Sequence, residues 1–196
     1  MVSIHLTFGS AEYGQGIIEQ EEKRQPIKKQ VLETYKKTEE NNIFKIFSTD
    51  SNIEKEYKFV DTPNAEQSNA GFIVKSEFIN AIKRYYKSSD MPLKEQRGVA
   101  KWLINFFDEM FVEYEEDLKN YIQVKKTKWN VRSYAYDGFV YLSSYLYNLD
   151  IDENKKIEMG ITILQSVDFT SDIKSTNKTR ECLNIIKEAI DNYEKQ

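Results

Sequence analysis

Apolar residues recur at every third or fourth position from Phe72 onward, which is the spacing of one face of an α-helix. The widest of these stripes follows Pro92 and predicts a long helix that forms the spine of the core. Its apolar residues are Val99, Trp102, Leu103, Phe106, Phe107, Met110, Phe111, Tyr114 and Leu118. Shorter stripes predict further helices over Phe78–Tyr86, Phe139–Leu149, Ile157–Leu164 and Cys182–Tyr193.

The first residues follow a different pattern, in which apolar and polar side chains alternate from Val2 to Phe8. Alternation is typical of a half-buried β-strand. A lone strand leaves its backbone donors and acceptors unpaired, and only one other strand, at Tyr57 to Val60, is indicated. We therefore interpret the chain as the later part of a larger α/β protein whose sheet lies upstream.

Between the first strand and Phe72 the pattern is mixed. Helices are predicted after Gly9-Ser10, from Pro26 and around Ile43 to Phe47, and the stretch from Thr49 to Gly71 is predicted to be mostly loop. The predicted fold class is mainly α: a helical bundle preceded by a short strand and helix segment, a remnant of an α/β sheet domain. Residues 1–71 form that partial α/β segment and residues 72–196 form the bundle, as one continuous compact unit.

Composition narrows the class of protein. The chain has 196 residues, of which 40% are hydrophobic and 31% charged, as is ordinary for a soluble globular protein. No apolar run approaches the roughly 20 residues of a membrane span, and the first residues lack the features of an export signal. The single cysteine excludes an internal disulfide framework. We therefore expect a cytoplasmic protein that does not enter a membrane.

A basic and aromatic segment, Lys119 to Tyr134, stands out in a chain whose formal net charge is −4. Its cations and aromatic residues are Lys119, Lys125, Lys126, Lys128, Arg132, Tyr121, Trp129 and Tyr134, with no acid among them. Lysine and arginine displace the counterions of nucleic-acid phosphates, and aromatic faces stack on bases. The alternative is a solvated loop between two helices. Lys83, Arg84 and Lys87 form a second basic cluster at a predicted helix end, where cations complement the helix dipole.

Catalytic chemistry has little support. His5 is the only histidine, and Cys182 lies in an apolar helical stripe, where a small buried residue is expected. Gly14-Gln15-Gly16 lacks the third glycine of a dinucleotide loop, and the chain has no P-loop. The acids Glu113, Glu115, Glu116 and Asp117 are interpreted as a solvated face at the end of the long helix, and Asp150 and Asp152 as caps of the next one. We predict no cofactor, no metal site and no catalytic residues.

Several segments, taken in order, resemble the C-terminal half of DGQHR-domain proteins, especially the DndB-type proteins of DNA sulfur modification, which are similar to ParB-like domains. They are VSIHLTF, QPIKKQVLETY, SNAGFIVKSEFINAIKRYY, YAYDGFVYLSSYLYNL, and LQSVDF followed by TNKTRECLNIIKEAI. The Asp-Gly-Gln-His-Arg motif itself is missing, because Asp137-Gly138 is followed by Phe139. Activity attributed to that motif does not carry over. The resemblance implies a truncated chain that scaffolds, binds DNA or meets a partner such as the upstream half of the same family.

Two main hypotheses follow, and a third, an enzyme that uses carboxylates alone, is the least favoured. In the first, the chain is a non-catalytic accessory or regulatory module of a bacterial or phage DNA-modification or defence system. It contacts DNA phosphates through the two basic clusters, with Trp129 as a stacking or packing partner. In the second, it docks a partner subunit without touching DNA.

Overall fold

The computed structural model of the protein describes residues 40–88 and 91–195. The predicted strand Val2 to Phe8, the first two predicted helices, His5 and Gly14-Gln15-Gly16 lie outside these residues. In chain order the elements are α1 (Glu40–Ser48), α2 (Ser51–Glu56), β1 (Phe59–Val60), α3 (Pro63–Gln67), β2 (Ile73–Val74), α4 (Lys75–Tyr86), α5 (Leu93–Glu113), α6 (Glu115–Lys119), α7 (Tyr121–Val124), a 3₁₀ turn (Ser133–Ala135), α8 (Tyr136–Tyr147), α9 (Glu153–Gln165) and α10 (Lys178–Glu194). The prediction of a mainly α-helical bundle is confirmed.

The core forms around α5, as its long apolar stripe predicts. Every apolar residue of that stripe from Val99 to Phe111 is buried. Helix α5 contacts α1, α8 and α9, and α8 packs in turn against α4 and α10. The prediction that Cys182 is a buried small residue of the last helix is also confirmed, because its side chain is fully buried in α10. The bundle thus uses the apolar faces that the periodicity indicates.

A two-stranded parallel sheet, β1 with β2, joins the first helices to the bundle. Phe59 pairs with Ile73, and Val60 pairs with Val74. The two segments approach closely at Gly71, where a Cβ atom would lie 2.2 Å from the backbone oxygen of Lys58. Glycine is required there because any side chain would force the strands apart. The predicted strand at Tyr57 to Val60 is therefore confirmed in its second half, whereas β2 was not predicted.

The prediction of a loop from Thr49 to Gly71 is wrong at two places, because the short helices α2 and α3 lie within it. Both are started by side-chain caps. The Asp50 carboxylate accepts a hydrogen bond from the backbone N–H of Asn52, and the Thr62 hydroxyl accepts one from the N–H of Ala65. Pro63 occupies the first turn of α3, where its missing N–H costs nothing. Helices this short carry too few apolar residues to show a helical period.

Within the described part of the chain, no helix has both the length and the apolar character that crossing a bilayer requires.

Candidate nucleic-acid interface

A groove lies between the segment that follows α7 and the loop that precedes α10. Its volume is about 430 Å³, and we call it the basic groove. Among the described residues, its charged lining consists of Lys125, Lys126, Lys128, Arg132, Lys178 and the acid Asp172. Most of the cations of the basic segment therefore face one concave surface, and Lys178, at the start of α10, adds a cation that the sequence did not single out.

Trp129 packs in the core and anchors the basic segment there. Its side chain is only 3% exposed, and its ring lies 4.7 Å from that of Phe169 and parallel to that of Phe139. The backbone N–H of Trp129 donates to the backbone oxygen of Phe169 at 3.0 Å, and its indole N–H donates to the Ser171 hydroxyl at 3.3 Å. Of the two roles expected for Trp129, stacking or packing, packing accounts for its contacts here.

Asp117 neutralises one cation of the groove. Its carboxylate accepts two hydrogen bonds from the Lys128 ammonium, at 2.8 and 2.9 Å, and one from the Asn130 amide at 2.8 Å. The Asp117 side chain is 14% exposed, so the interpretation of this acid as part of a solvated face is wrong. Helix α5 ends at Glu113, and Asp117 lies in the first turn of α6, where a negative charge complements the helix dipole.

The remaining cations of the segment differ in their partners. Arg132 lies 3.7 Å from the Glu66 carboxylate, and Lys119, on α6 and outside the groove, pairs with Glu115. Lys125 donates to the backbone oxygen of Glu66 and Lys126 to the side-chain oxygen of Gln123. Both of these acceptors are neutral, so the contacts leave the charges of Lys125 and Lys126 in place.

The second basic cluster lies at the C-terminal end of α4, where the sequence predicts it. Arg84 pairs with Asp137 at 2.7 Å, and the Tyr85 hydroxyl donates to the same carboxylate at 2.5 Å. Lys87 is exposed and ends the helix in the left-handed conformation, with φ of 49°, and Lys83 lies in the last turn. Arg84 also lines the pocket that adjoins the basic groove, described next.

A smaller pocket, which we call the polar pocket, adjoins the basic groove. Its volume is about 190 Å³, and its lining residues are Glu77, Asn80, Arg84, Ser133, Tyr134, Asp137 and Thr179. Tyr134 also lines the basic groove and so forms the wall that the two share. The Ser133 hydroxyl donates to Glu77 and accepts from the backbone N–H of Val74, which ties the pocket to β2. This juxtaposition depends on the packing of both α4 and α10 against α8, which no local sequence signal reveals.

Burial raises the pKa of Glu77, and the nearby charges of Glu66 and Asp137 add to the effect. The contribution of Glu77 to the free energy of unfolding is therefore expected to fall as the pH rises from 4.5, the ordinary pKa of glutamate, through the raised pKa of Glu77 in the folded state. In that window the native state binds more protons than the unfolded state, so acidification favours folding. The destabilisation is complete once Glu77 is ionised. The Glu77→Gln variant should gain more thermal stability over wild type at pH 7 than at pH 4.5.

Ser133→Ala provides a second check on Glu77, because it removes the hydroxyl that lowers the pKa of this carboxyl. The pH dependence of its melting temperature should be steeper than that of wild type. If the melting temperatures of wild type and Glu77→Gln changed with pH in parallel, the raised pKa of Glu77 would be contradicted.

Among the described residues, no group of three or more histidine, cysteine, aspartate and glutamate side chains is arranged to hold a metal ion. Comparisons of the chain with protein-family models, curated proteins and solved structures found no match. Inference about function therefore depends on the geometry of the basic groove and the polar pocket.

Proposed function

We infer that the chain binds DNA phosphates through the basic groove and has no catalytic role of its own. One observation carries the proposal: Lys125, Lys126, Lys128, Arg132 and Lys178 line one groove, in which Asp172 is the only acid among the described lining residues, in a chain of net charge −4. A local positive field in an acidic protein attracts a polyanion to one place and repels it elsewhere.

The cations of the groove are expected to contribute unequally. Lys125 and Lys126 have neutral partners, and the Lys178 ammonium lies 5.7 Å from the centre of the Tyr134 ring. None of the three is in an ion pair with another described residue, so they are expected to bind phosphate more readily than Lys128 and Arg132. Lys128 and Arg132 share their charge with Asp117 and Glu66. With about four phosphate contacts, the logarithm of the binding constant falls with the logarithm of salt concentration at a slope of roughly −3 to −4.

Replacing Lys125, Lys126 and Lys178 together by glutamine is expected to make this slope shallower by about 3, because each lost contact removes about 0.9 from it. Fluorescence anisotropy of labelled duplex DNA across a salt series measures the slope. A matched control replaces Lys94, Lys101 and Lys155, which are exposed lysines outside the groove, and changes the net charge equally. Equal slopes for the two triple variants would refute the proposal, as would wild-type protein that binds neither duplex nor single-stranded DNA at low salt.

The setting of this activity, an accessory or regulatory role in DNA modification or defence, follows from the resemblance to DGQHR-domain proteins and stays a prediction. The alternative, a module that docks a partner protein without DNA, also stays a prediction. The exposed large apolar side chains of the described residues are Leu93, Val112, Ile122 and Ile151. They lie at both ends of α5, on α7 and before α9, so they do not mark one docking face.

A further inference from the structure

Tyr134 is the aromatic residue of the basic groove whose ring remains accessible. Three aromatic residues of the described chain line the groove, and two of them, Trp129 and Phe169, are buried in the core. Tyr134 is only half-buried, and the Lys178 ammonium lies over its ring at 5.7 Å. A planar group that stacks on this face of Tyr134 would take the place of the Lys178 ammonium over the ring, and that cation would then be available to a phosphate.

The polar pocket on the other side of Tyr134 has a different chemistry from the groove. Asn80 and Thr179 supply neutral donors and acceptors, and Glu77 and Asp137 supply carboxylate oxygens. The Asp137 carboxylate is held by Arg84 and Tyr85, which fixes its orientation. At about 190 Å³ the polar pocket is less than half the size of the basic groove, at about 430 Å³. Such a lining suits a small, planar, neutral group with hydrogen-bonding edges rather than a second phosphate.

We propose that the protein binds single-stranded nucleic acid, with its phosphates in the basic groove and one base turned over Tyr134 into the polar pocket. This inference rests on the proposed function and adds the form of the ligand to it. In a duplex the bases are stacked and paired, so none reaches a pocket beside the phosphate track. In a single strand one base unstacks at small cost and finds a ring to stack on and polar groups to bind its edge.

Replacing Tyr134 by leucine is expected to weaken binding of a single-stranded oligonucleotide by about 5- to 150-fold, the effect of losing one stacked base. Duplex binding at the same salt concentration should be unchanged, because the lysines and the arginine of the groove remain. Tyr134→Phe is the matched control, since it retains the ring and should bind like wild type. Fluorescence anisotropy with single-stranded and duplex DNA of equal length measures all three proteins, and circular dichroism verifies that they are folded.

Asn80→Ala tests the polar pocket without changing charge. Wild type should discriminate among the homopolymers of the four bases, and Asn80→Ala should narrow the differences in affinity while retaining the salt dependence. Wild type that binds single strands no better than duplex, with Tyr134→Leu equal to Tyr134→Phe, would overturn this inference and leave the proposed function standing. Wild type that binds neither form at low salt would overturn both.

Discussion

Replacing Phe107 by alanine is expected to lower the free energy of unfolding by about 3–5 kcal/mol, the usual cost of deleting a buried aromatic ring. Phe107 is completely buried in the middle of α5. Its ring contacts those of Phe47, Tyr57, Phe78, Phe106 and Tyr136, with centroids 5.5 to 6.2 Å apart. These rings come from five different parts of the chain, so no single neighbour can move to fill the cavity that alanine leaves.

The size of this effect matters because a domain of this kind is stable by only about 5–15 kcal/mol. Phe107→Ala should therefore unfold at a much lower urea concentration, in a transition followed by circular dichroism. The Tyr57 hydroxyl donates to the backbone oxygen of Phe107 at 2.6 Å, and alanine retains that acceptor, so the loss reports packing rather than a hydrogen bond. Val112→Ala on the same helix is the control, because Val112 is 70% exposed, and it should change stability by no more than about 0.5 kcal/mol. A Phe107→Ala variant as stable as this control would contradict the packing assigned to α5.

The contrast between α5 and β2 shows why the sequence predicts some elements and not others. Helix α5 is long, and its apolar stripe is repeated often enough to stand out from chance. Strand β2 contains only Ile73 and Val74, both buried, so it has no alternation to detect. It exists because Phe59 and Val60 pair with it and because Gly71 lets the two backbones approach. These are tertiary causes that a local pattern does not contain.

The candidate site likewise has features that the sequence predicts and features that depend on tertiary packing. The sequence showed the cations of the basic segment, because charge and residue type are visible in it. It did not show which acids pair with them: Asp117 and Glu66 come from outside the segment. Nor did it show that Lys178 lies beside Tyr134, since these two residues are brought together only when α10 packs against α8 and the 3₁₀ turn. A count of charges therefore overstates the free positive charge of the segment and omits one of its cations.

Replacing Asp117 by alanine is expected to lower the free energy of unfolding by about 1–3 kcal/mol, the cost of leaving a buried polar group without its partner. The largest part of this cost is expected at Asn130, whose buried amide loses its hydrogen-bond acceptor. Its side chain is 2% exposed, its amide N–H₂ donates to Asp117, and its amide oxygen is already buried without a partner in the described structure. The cost at Lys128 is expected to be smaller, because its side chain is 38% exposed and its ammonium can be hydrated instead. Urea unfolding measures the loss.

The same variant should bind DNA more tightly, because the released Lys128 becomes available to a phosphate. One additional contact steepens the salt slope by about 0.9. Glu116→Ala is the matched control, because it removes the same charge from the next position of α6, where the side chain is exposed. Both variants change the overall field equally, and the Asn130 amide that also loses its partner is uncharged, so a difference in salt slope between them reports Lys128. A less stable protein with higher affinity would separate the structural role of Asp117 from its effect on binding. Equal slopes for Asp117→Ala and Glu116→Ala would show that releasing Lys128 adds no phosphate contact.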